Sequence, residues 1–206
     1  MIDVTLETYE RSAAELAHTF MQTGARVDDI ERAFSFANAA RGELRVLELG
    51  CGDGRDAAVI APQVQSYKGV DYSGNLLELA RSRGIEGADF EVADMRGEVF
   101  SEHDEFDIIF GFASLLHLNG EELSKLFSSS ADALSQGGIW YASMRYADSY
   151  STYTRSEALG DRVYYLYHPD EVLELAGDRF TEEYREQQEF VGFDWFTLVL
   201  RNSSND

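Results

Sequence analysis

The chain has 206 residues, 44% of them hydrophobic, and 38 acidic against 17 basic side chains give it a formal net charge of −21. This length suits one α/β domain with a single core. The acidic balance argues against a phosphate-neutralising surface, so we expect no nucleic-acid partner and favour a small-molecule substrate. No apolar run approaches the roughly 18 residues that span a bilayer. With Cys51 as the only cysteine, we expect no disulfide, no metal, no membrane partner and a cytoplasmic location; the oligomeric state stays open.

The N-terminal part of the chain is predicted to be helical. Apolar residues recur at spacings of three and four over residues 3–23, and again over residues 27–40. This periodicity is typical of amphipathic helices that bury one face. We therefore expect two helices before the first strand.

Five apolar segments then alternate with helical segments. The predicted strands cover residues 44–49, 66–71, 88–93, 106–112 and 139–146. Helical segments near residues 57–62, 76–84 and 121–134 lie between them. This alternation predicts parallel strands joined by right-handed crossovers, as in a doubly wound sheet.

The last quarter of the chain has a different character. Residues 146–167 are polar and rich in tyrosine, which predicts a long loop or a strand–loop insertion with a functional role. A short helix over residues 170–176 follows. Residues 180–191 and 194–200 then predict a hairpin around Gly192 that adds an antiparallel edge to the sheet.

The first strand ends in a glycine turn, Gly50-Cys51-Gly52-Asp53-Gly54, and such a turn lies at the ligand site of open α/β sheets. Two cofactor classes compete for it. A dinucleotide fingerprint would need its third glycine where Arg55 stands, so that pattern is not met. Glu48, Asp53 and Asp56 surround the turn with carboxylates, which would repel a pyrophosphate and favour a cation.

Residues 48–54 resemble the first motif of the class I S-adenosylmethionine-dependent methyltransferases, in their small bacterial form. Segments 70–73, 92–95, 106–117 and 134–139 resemble the later motifs in the same order. The resemblance implies a three-layer Rossmann-like α/β fold, a doubly wound sheet of seven mostly parallel strands with an antiparallel C-terminal hairpin strand, plus two N-terminal helices. It also implies S-adenosylmethionine as the cofactor.

The same resemblance implies one methyltransferase domain over residues 1–206. Residues 1–42 would form an N-terminal helical lid, and residues 43–146 the cofactor-binding core. Residues 147–168 would form a substrate-side insertion, and residues 169–201 the C-terminal helix and hairpin.

The resemblance also suggests roles for single residues. Asp71 would accept the ribose hydroxyls and Asp94 the adenine amine, while Tyr72 and Met95 would enclose the adenine ring. Glu48 lies in an apolar strand, so it needs a donor such as a turn N–H or a cationic ligand. The expected cofactor-binding residues are Tyr9, Glu48, Gly50, Cys51, Gly52, Asp71, Tyr72, Asp94, Met95, Gly111 and Phe112.

Three residues lie where the acceptor is expected. His117 is a candidate catalytic base, or a loop histidine without a chemical role. Arg145 is a candidate for holding a substrate carboxylate, or forms a surface salt bridge, and Tyr146 is a candidate pocket residue. The predicted reaction is methyl transfer to a small molecule by in-line displacement at the sulfonium, in which orientation alone could suffice. An NAD(P)-dependent oxidoreductase and a non-catalytic S-adenosylmethionine-binding protein are the alternatives.

Overall fold

The computed structural model describes residues 3–101 and 103–203. The strands are β1 (Arg45–Leu49), β2 (Ser66–Asp71), β3 (Ala88–Val92), β4 (Phe106–Phe112), β5 (Leu134–Arg145), β6 (Ser151–Glu157), β7 (Gly160–Leu166), β8 (Phe180–Phe190) and β9 (Phe193–Asn202). The α-helices are α1 (Val4–Arg11), α2 (Ala13–Thr23), α3 (Val27–Phe36), α4 (Ala57–Ile60), α5 (Gly74–Ser82), α6 (Gly120–Ala133) and α7 (Pro169–Ala176). In this part of the chain no helix is long and apolar enough to cross a membrane.

Seven strands form one sheet in the order β3-β2-β1-β4-β5-β9-β8. The pairs from β3 to β5 are parallel, whereas β9 pairs antiparallel with both β5 and β8. The predicted doubly wound sheet with an antiparallel C-terminal hairpin is therefore confirmed. The strand order reverses between β1 and β4, which places the open crevice of the sheet at the carboxyl ends of these two strands.

The sheet separates two apolar layers because successive side chains of a strand point to opposite faces. In β1, Leu47 and Leu49 belong to the core shared with α6 and α7, whereas Val46 packs with the residues of α3 and α4. Trp140 and Tyr141 of β5 divide between the same two cores and are both fully buried. The result is the expected three-layer arrangement, with β1 and β4 held rigidly at its centre.

The first predicted helix is divided at Ser12. This residue has φ −114° and ψ 26°, outside the helical region, so α1 ends there and α2 begins. Its hydroxyl donates a hydrogen bond of 2.8 Å to the carbonyl of Leu159, which stabilises the break. The helix after Gly24 ends at Phe36 rather than at residue 40.

The tyrosine-rich stretch forms a separate antiparallel hairpin of β6 and β7. Helix α1 is bonded along this hairpin: the hydroxyl of Thr5 accepts from the Val163 N–H at 2.9 Å, and the hydroxyl of Thr8 donates to the Asp161 carbonyl at 2.7 Å. The predicted insertion is thus a regular hairpin attached to the N-terminal helix. It contacts the turn that follows β4, at the carboxyl ends of the parallel strands.

Candidate functional site

The glycine turn after β1 lies at the crevice, and glycine is required at its three positions for different structural reasons. All three have positive φ, +77° at Gly50, +55° at Gly52 and +75° at Gly54. A Cβ on Gly50 would lie 2.3 Å from the Cβ of Ser114, and one on Gly54 would lie 3.0 Å from that of Ala80. A Cβ on Gly52 would meet no protein atom within 4 Å. Only at Gly52 does the turn face open space, into which a ligand can approach the backbone.

Asp71, the last residue of β2, lies beside this turn. Its carboxylate accepts hydrogen bonds of 2.9 Å from the N–H groups of Gly52 and Ser73. The residue is 6% exposed, and burial raises the pKa of this carboxyl to about 6. Each oxygen has a second lone pair, so the group can accept further donors from a ligand.

The other carboxylates around the turn are already paired within the protein. Glu48 accepts from the hydroxyl of Tyr67, and burial together with the nearby Asp56 raises the pKa of Glu48. Asp53 is bonded to the Arg83 guanidinium. Asp56 accepts from the backbone N–H of Arg26 at 2.8 Å and lies next to the Arg55 guanidinium. These three carboxylates are therefore engaged by donors of the protein itself.

The residues expected around adenine lie at the ends of β2 and β3. The Tyr72 hydroxyl is buried and has no hydrogen-bond partner in the described part of the chain. Partial burial raises the pKa of Asp94, but hydrogen bonds from Arg96 at 2.6–2.9 Å outweigh it and hold that pKa below its usual range. The terminal methyl of Met95 reaches to 3.5 Å from where a Gly50 Cβ would lie. Tyr72 and Met95 thus flank the crevice, whereas the Asp94 carboxylate is engaged by its neighbour.

His117, in the turn after β4, is hydrogen-bonded on both ring nitrogens, to β7 on one side and to α1 on the other. Its Nδ1 lies 2.7 Å from the Val163 carbonyl, and its Nε2 lies 3.0 Å from the hydroxyl of Tyr9. A carbonyl oxygen only accepts, so the proton is on Nδ1 and the Nε2 lone pair accepts from Tyr9. Burial lowers the pKa of His117 to about 4, which keeps the imidazole neutral at pH 7.

The environment of this histidine is aromatic and includes one further arginine. Tyr164 lies against the His117 ring, with ring centroids 5.1 Å apart, and stacks on Tyr153 at 5.3 Å. Arg162 lies 5.8 Å from the centroid of the Tyr9 ring, and its Nε is buried without a hydrogen-bond partner in the described chain. The sequence analysis missed Arg162, because only the hairpin register brings it to this place.

Arg145 and Tyr146 lie at the end of β5 and line a cavity of about 380 Å³ with Glu189, Gly192, Phe193 and Asp194. The Arg145 guanidinium stacks 3.5 Å above the Phe193 ring. The hydroxyl of Tyr146 donates to Asp148 at 2.9 Å. Both candidates for substrate binding are therefore together at one opening, formed by β5 and the tip of the β8–β9 hairpin.

The remaining predicted residues are core positions at the same edge. Cys51 is 5% exposed against Leu77 and Ala80, and burial raises the pKa of its thiol, which agrees with a packing role rather than a nucleophile. A Cβ on Gly111 would lie 2.8 Å from Leu115. The Phe112 ring stacks on Phe110 at 4.7 Å and belongs to the core that includes α3 and α4.

Arg26 is a second arginine that the sequence analysis missed. It precedes α3, and its guanidinium lies 5.5 Å from the Phe112 ring centroid and 5.7 Å from that of Trp195. It also donates to the Ser143 hydroxyl at 3.2 Å. These partners come from three distant parts of the chain, so no local pattern could have indicated them.

Comparison with known proteins places this site in context. Residues 46–138 match the family model described as methyltransferase domain. No curated protein sequence matches the chain.

Several solved structures share the fold. A S-adenosylmethionine-dependent methyltransferase of Methanosarcina mazei is 17% identical with a TM-score of 0.70, covering 80% of this chain and 95% of its own. The N-methyltransferase NodS of Bradyrhizobium japonicum, solved with S-adenosylhomocysteine, is 17% identical with a TM-score of 0.66, covering 86% and 85%. DhpI, solved with SAH, is 20% identical with a TM-score of 0.70 and covers all of both chains. At these identities the likeness is one of fold.

Proposed function

We propose that the chain is a class I S-adenosylmethionine-dependent methyltransferase, which transfers the methyl group of that cofactor to a small-molecule acceptor. When bound, S-adenosylmethionine supplies an electrophilic methyl group on a sulfonium. The net charge of −21 favours a small molecule over a nucleic acid as the acceptor.

The observation that carries this proposal is the open space beside Gly52, at the reversal point of the sheet. The donors and acceptors around it fit the cofactor. Asp71 has lone pairs free for the ribose hydroxyls, and the Tyr72 hydroxyl is a buried group that still needs a partner. The backbone of Gly52 can be approached without a side chain in the way. We assign Asp71, Tyr72 and Met95 to cofactor binding on these grounds.

His117 has two roles open to it in methyl transfer. A neutral imidazole can accept a proton, but a pKa of about 4 makes it a weak base. Its lone pair is also committed to the Tyr9 hydroxyl. We therefore assign to His117 mainly the positioning of Tyr9 toward the acceptor, with proton acceptance as a minor contribution. Orientation of the acceptor supplies the larger part of the rate.

The test is turnover with a broad panel of phenols, amines, thiols and carboxylates, followed by measurement of S-adenosylhomocysteine. We expect at least one acceptor to give product above the background of enzyme and cofactor alone. Absence of product with every acceptor, in protein that still binds the cofactor, would favour a non-catalytic binding protein. Cofactor-dependent reduction or oxidation with NAD(P), without response to S-adenosylmethionine, would favour an oxidoreductase.

A further inference from the structure

Arg145 is a buried cation without an acidic partner. It is 7% exposed, and no carboxylate oxygen of the described chain lies within 4 Å of its guanidinium, although the sequence contains 38 acidic residues. Its hydrogen bond within the protein is a long one, 3.3 Å to the Tyr153 hydroxyl. A buried charge is costly unless it is paired and hydrogen-bonded. The missing anion is therefore expected from outside the chain.

The surroundings of Arg145 are built to hold a planar guanidinium in place. It lies 3.5 Å above the Phe193 ring and 5.6 Å from the centroid of Trp195. Arg155 and Arg26 approach the same two rings, at 5.4 Å and 5.7 Å. These neighbours do have acidic partners, Glu157 for Arg155 and Asp29 for Arg26. Arg145 alone of the three keeps its donors for another group.

The cavity that Arg145 lines lies next to the catalytic edge. Arg145 is two residues after Ser143, whose carbonyl accepts the N–H of Ala113 at 3.0 Å, directly after β4. The cavity volume of about 380 Å³ is that of a small-molecule pocket. Glu189 and Asp194 also line it, so a ligand with several negative charges would be repelled.

We propose that the methyl acceptor carries a singly charged oxyanion, such as a carboxylate, which Arg145 binds in the cavity that it lines beside the Phe193 ring. This inference rests on the proposed function and narrows it to acidic acceptors. Arg26 and Arg155 add positive potential around the same rings. The planar guanidinium can donate two parallel hydrogen bonds to such a group, a geometry that lysine does not offer.

Binding of simple probes tests the proposal before any acceptor is known. Protein saturated with S-adenosylhomocysteine is titrated with phenylacetate, phenylacetamide and phenylphosphonate, and Trp195 emission is followed. The other tryptophan, Trp140, is fully buried in the core, so the change reports the surroundings of Arg145, whose guanidinium lies 5.6 Å from the Trp195 ring centroid. We expect phenylacetate to bind at least tenfold more tightly than its amide. Phenylphosphonate, whose second ionisation lies near neutral pH, should bind more weakly than phenylacetate, and tighter binding of the phosphonate would contradict a singly charged acceptor.

Three variants separate the guanidinium from general effects. Arg145→Gln should lose at least tenfold in phenylacetate affinity while its affinity for S-adenosylhomocysteine stays unchanged, and Arg145→Lys should recover only part of the loss. Arg81→Gln is the matched control, because Arg81 is exposed and its guanidinium donates to the Phe90 carbonyl. It should bind as the wild type does.

Equal binding of acid and amide by the wild type, or an unchanged acid affinity in Arg145→Gln, would overturn the proposal. If Arg145→Gln fails to fold, the wild type and Arg145→Lys decide by the same acid-to-amide ratio. Failure of the proposed function would look different: the protein would then not bind S-adenosylhomocysteine, whatever its response to the acid.

Discussion

Replacement of Gly52 by alanine tests the cofactor site at its most exposed point. The new methyl group would enter the space where no protein atom lies within 4 Å. The N–H that donates to Asp71 would remain, since alanine keeps it. The substitution therefore fills the open space and leaves the hydrogen bonds of the turn intact.

The expected cost to folding is small and can be separated from the cost to binding. Gly52 has φ +55°, and an alanine in this left-handed region costs about 1–2 kcal/mol. No steric clash adds to this conformational cost, because the new methyl group meets no neighbouring atom. If the cofactor lies against the turn, the same methyl would collide with it, and we expect affinity for S-adenosylhomocysteine to fall at least tenfold, about 1.4 kcal/mol.

Two matched variants control for strain and for packing. Gly177→Ala also places alanine at positive φ, +74°, in open space, but directly after α7 rather than in the glycine turn. It should match Gly52→Ala in stability and the wild type in binding. Gly50→Ala would place its Cβ 2.3 Å from Ser114, so overpacking adds about 1–3 kcal/mol to the strain.

The measurements are urea denaturation for stability and calorimetric titration for binding. Wild-type affinity in Gly52→Ala would refute the placement of the cofactor beside the turn. A stability loss in Gly52→Ala equal to that in Gly50→Ala would refute the view that packing requires glycine at position 50 but not at position 52.

Three further predictions concern buried groups. Asp71→Asn should weaken S-adenosylhomocysteine binding more than tenfold by removing a charged acceptor; unchanged affinity in titration contradicts the ribose role. The neutral form of His117 stabilises the fold above pH 6.5, and this contribution of about 3 kcal/mol to the free energy of unfolding is lost as pH falls toward 4. In urea denaturation, His117→Gln should therefore lose less stability over this pH range than the wild type does. Equal losses in the two proteins count against a buried neutral imidazole. Tyr67→Phe removes the hydroxyl that donates to Glu48 and should lower the free energy of unfolding by about 1–3 kcal/mol. The loss should be larger at pH 9 than at pH 5, since the ionised carboxylate needs the donor. A loss that does not depend on pH contradicts this pairing.

The sheet could be predicted from the sequence because its determinants are local. Each βα unit combines an apolar run, a turn and an amphipathic helix, and the handedness of crossovers then fixes the layout. The division of the first helix at Ser12 could not be predicted, since it depends on a hydrogen bond to Leu159 in a hairpin far along the chain. The β6–β7 hairpin could not be predicted as a pair of strands, because it buries little of either face and its sequence is therefore polar without a clear alternation.

The site was predicted only in part, for a similar reason. The position of Asp71 beside the glycine turn follows from the parallel pairing of β1 and β2. The pairing of Glu48 and Asp53 within the protein could not be predicted, because their partners Tyr67 and Arg83 come from other elements. Arg145 was recognised as a candidate, but its lack of an acidic partner became visible only in three dimensions.

The most direct test of the central claim is calorimetric titration of the wild-type protein with S-adenosylhomocysteine and, separately, with NAD. A methyltransferase with its cofactor beside the glycine turn and Asp71 should bind S-adenosylhomocysteine with a submillimolar Kd and give no heat with NAD. Submillimolar binding of NAD without any response to S-adenosylhomocysteine would contradict the proposed function.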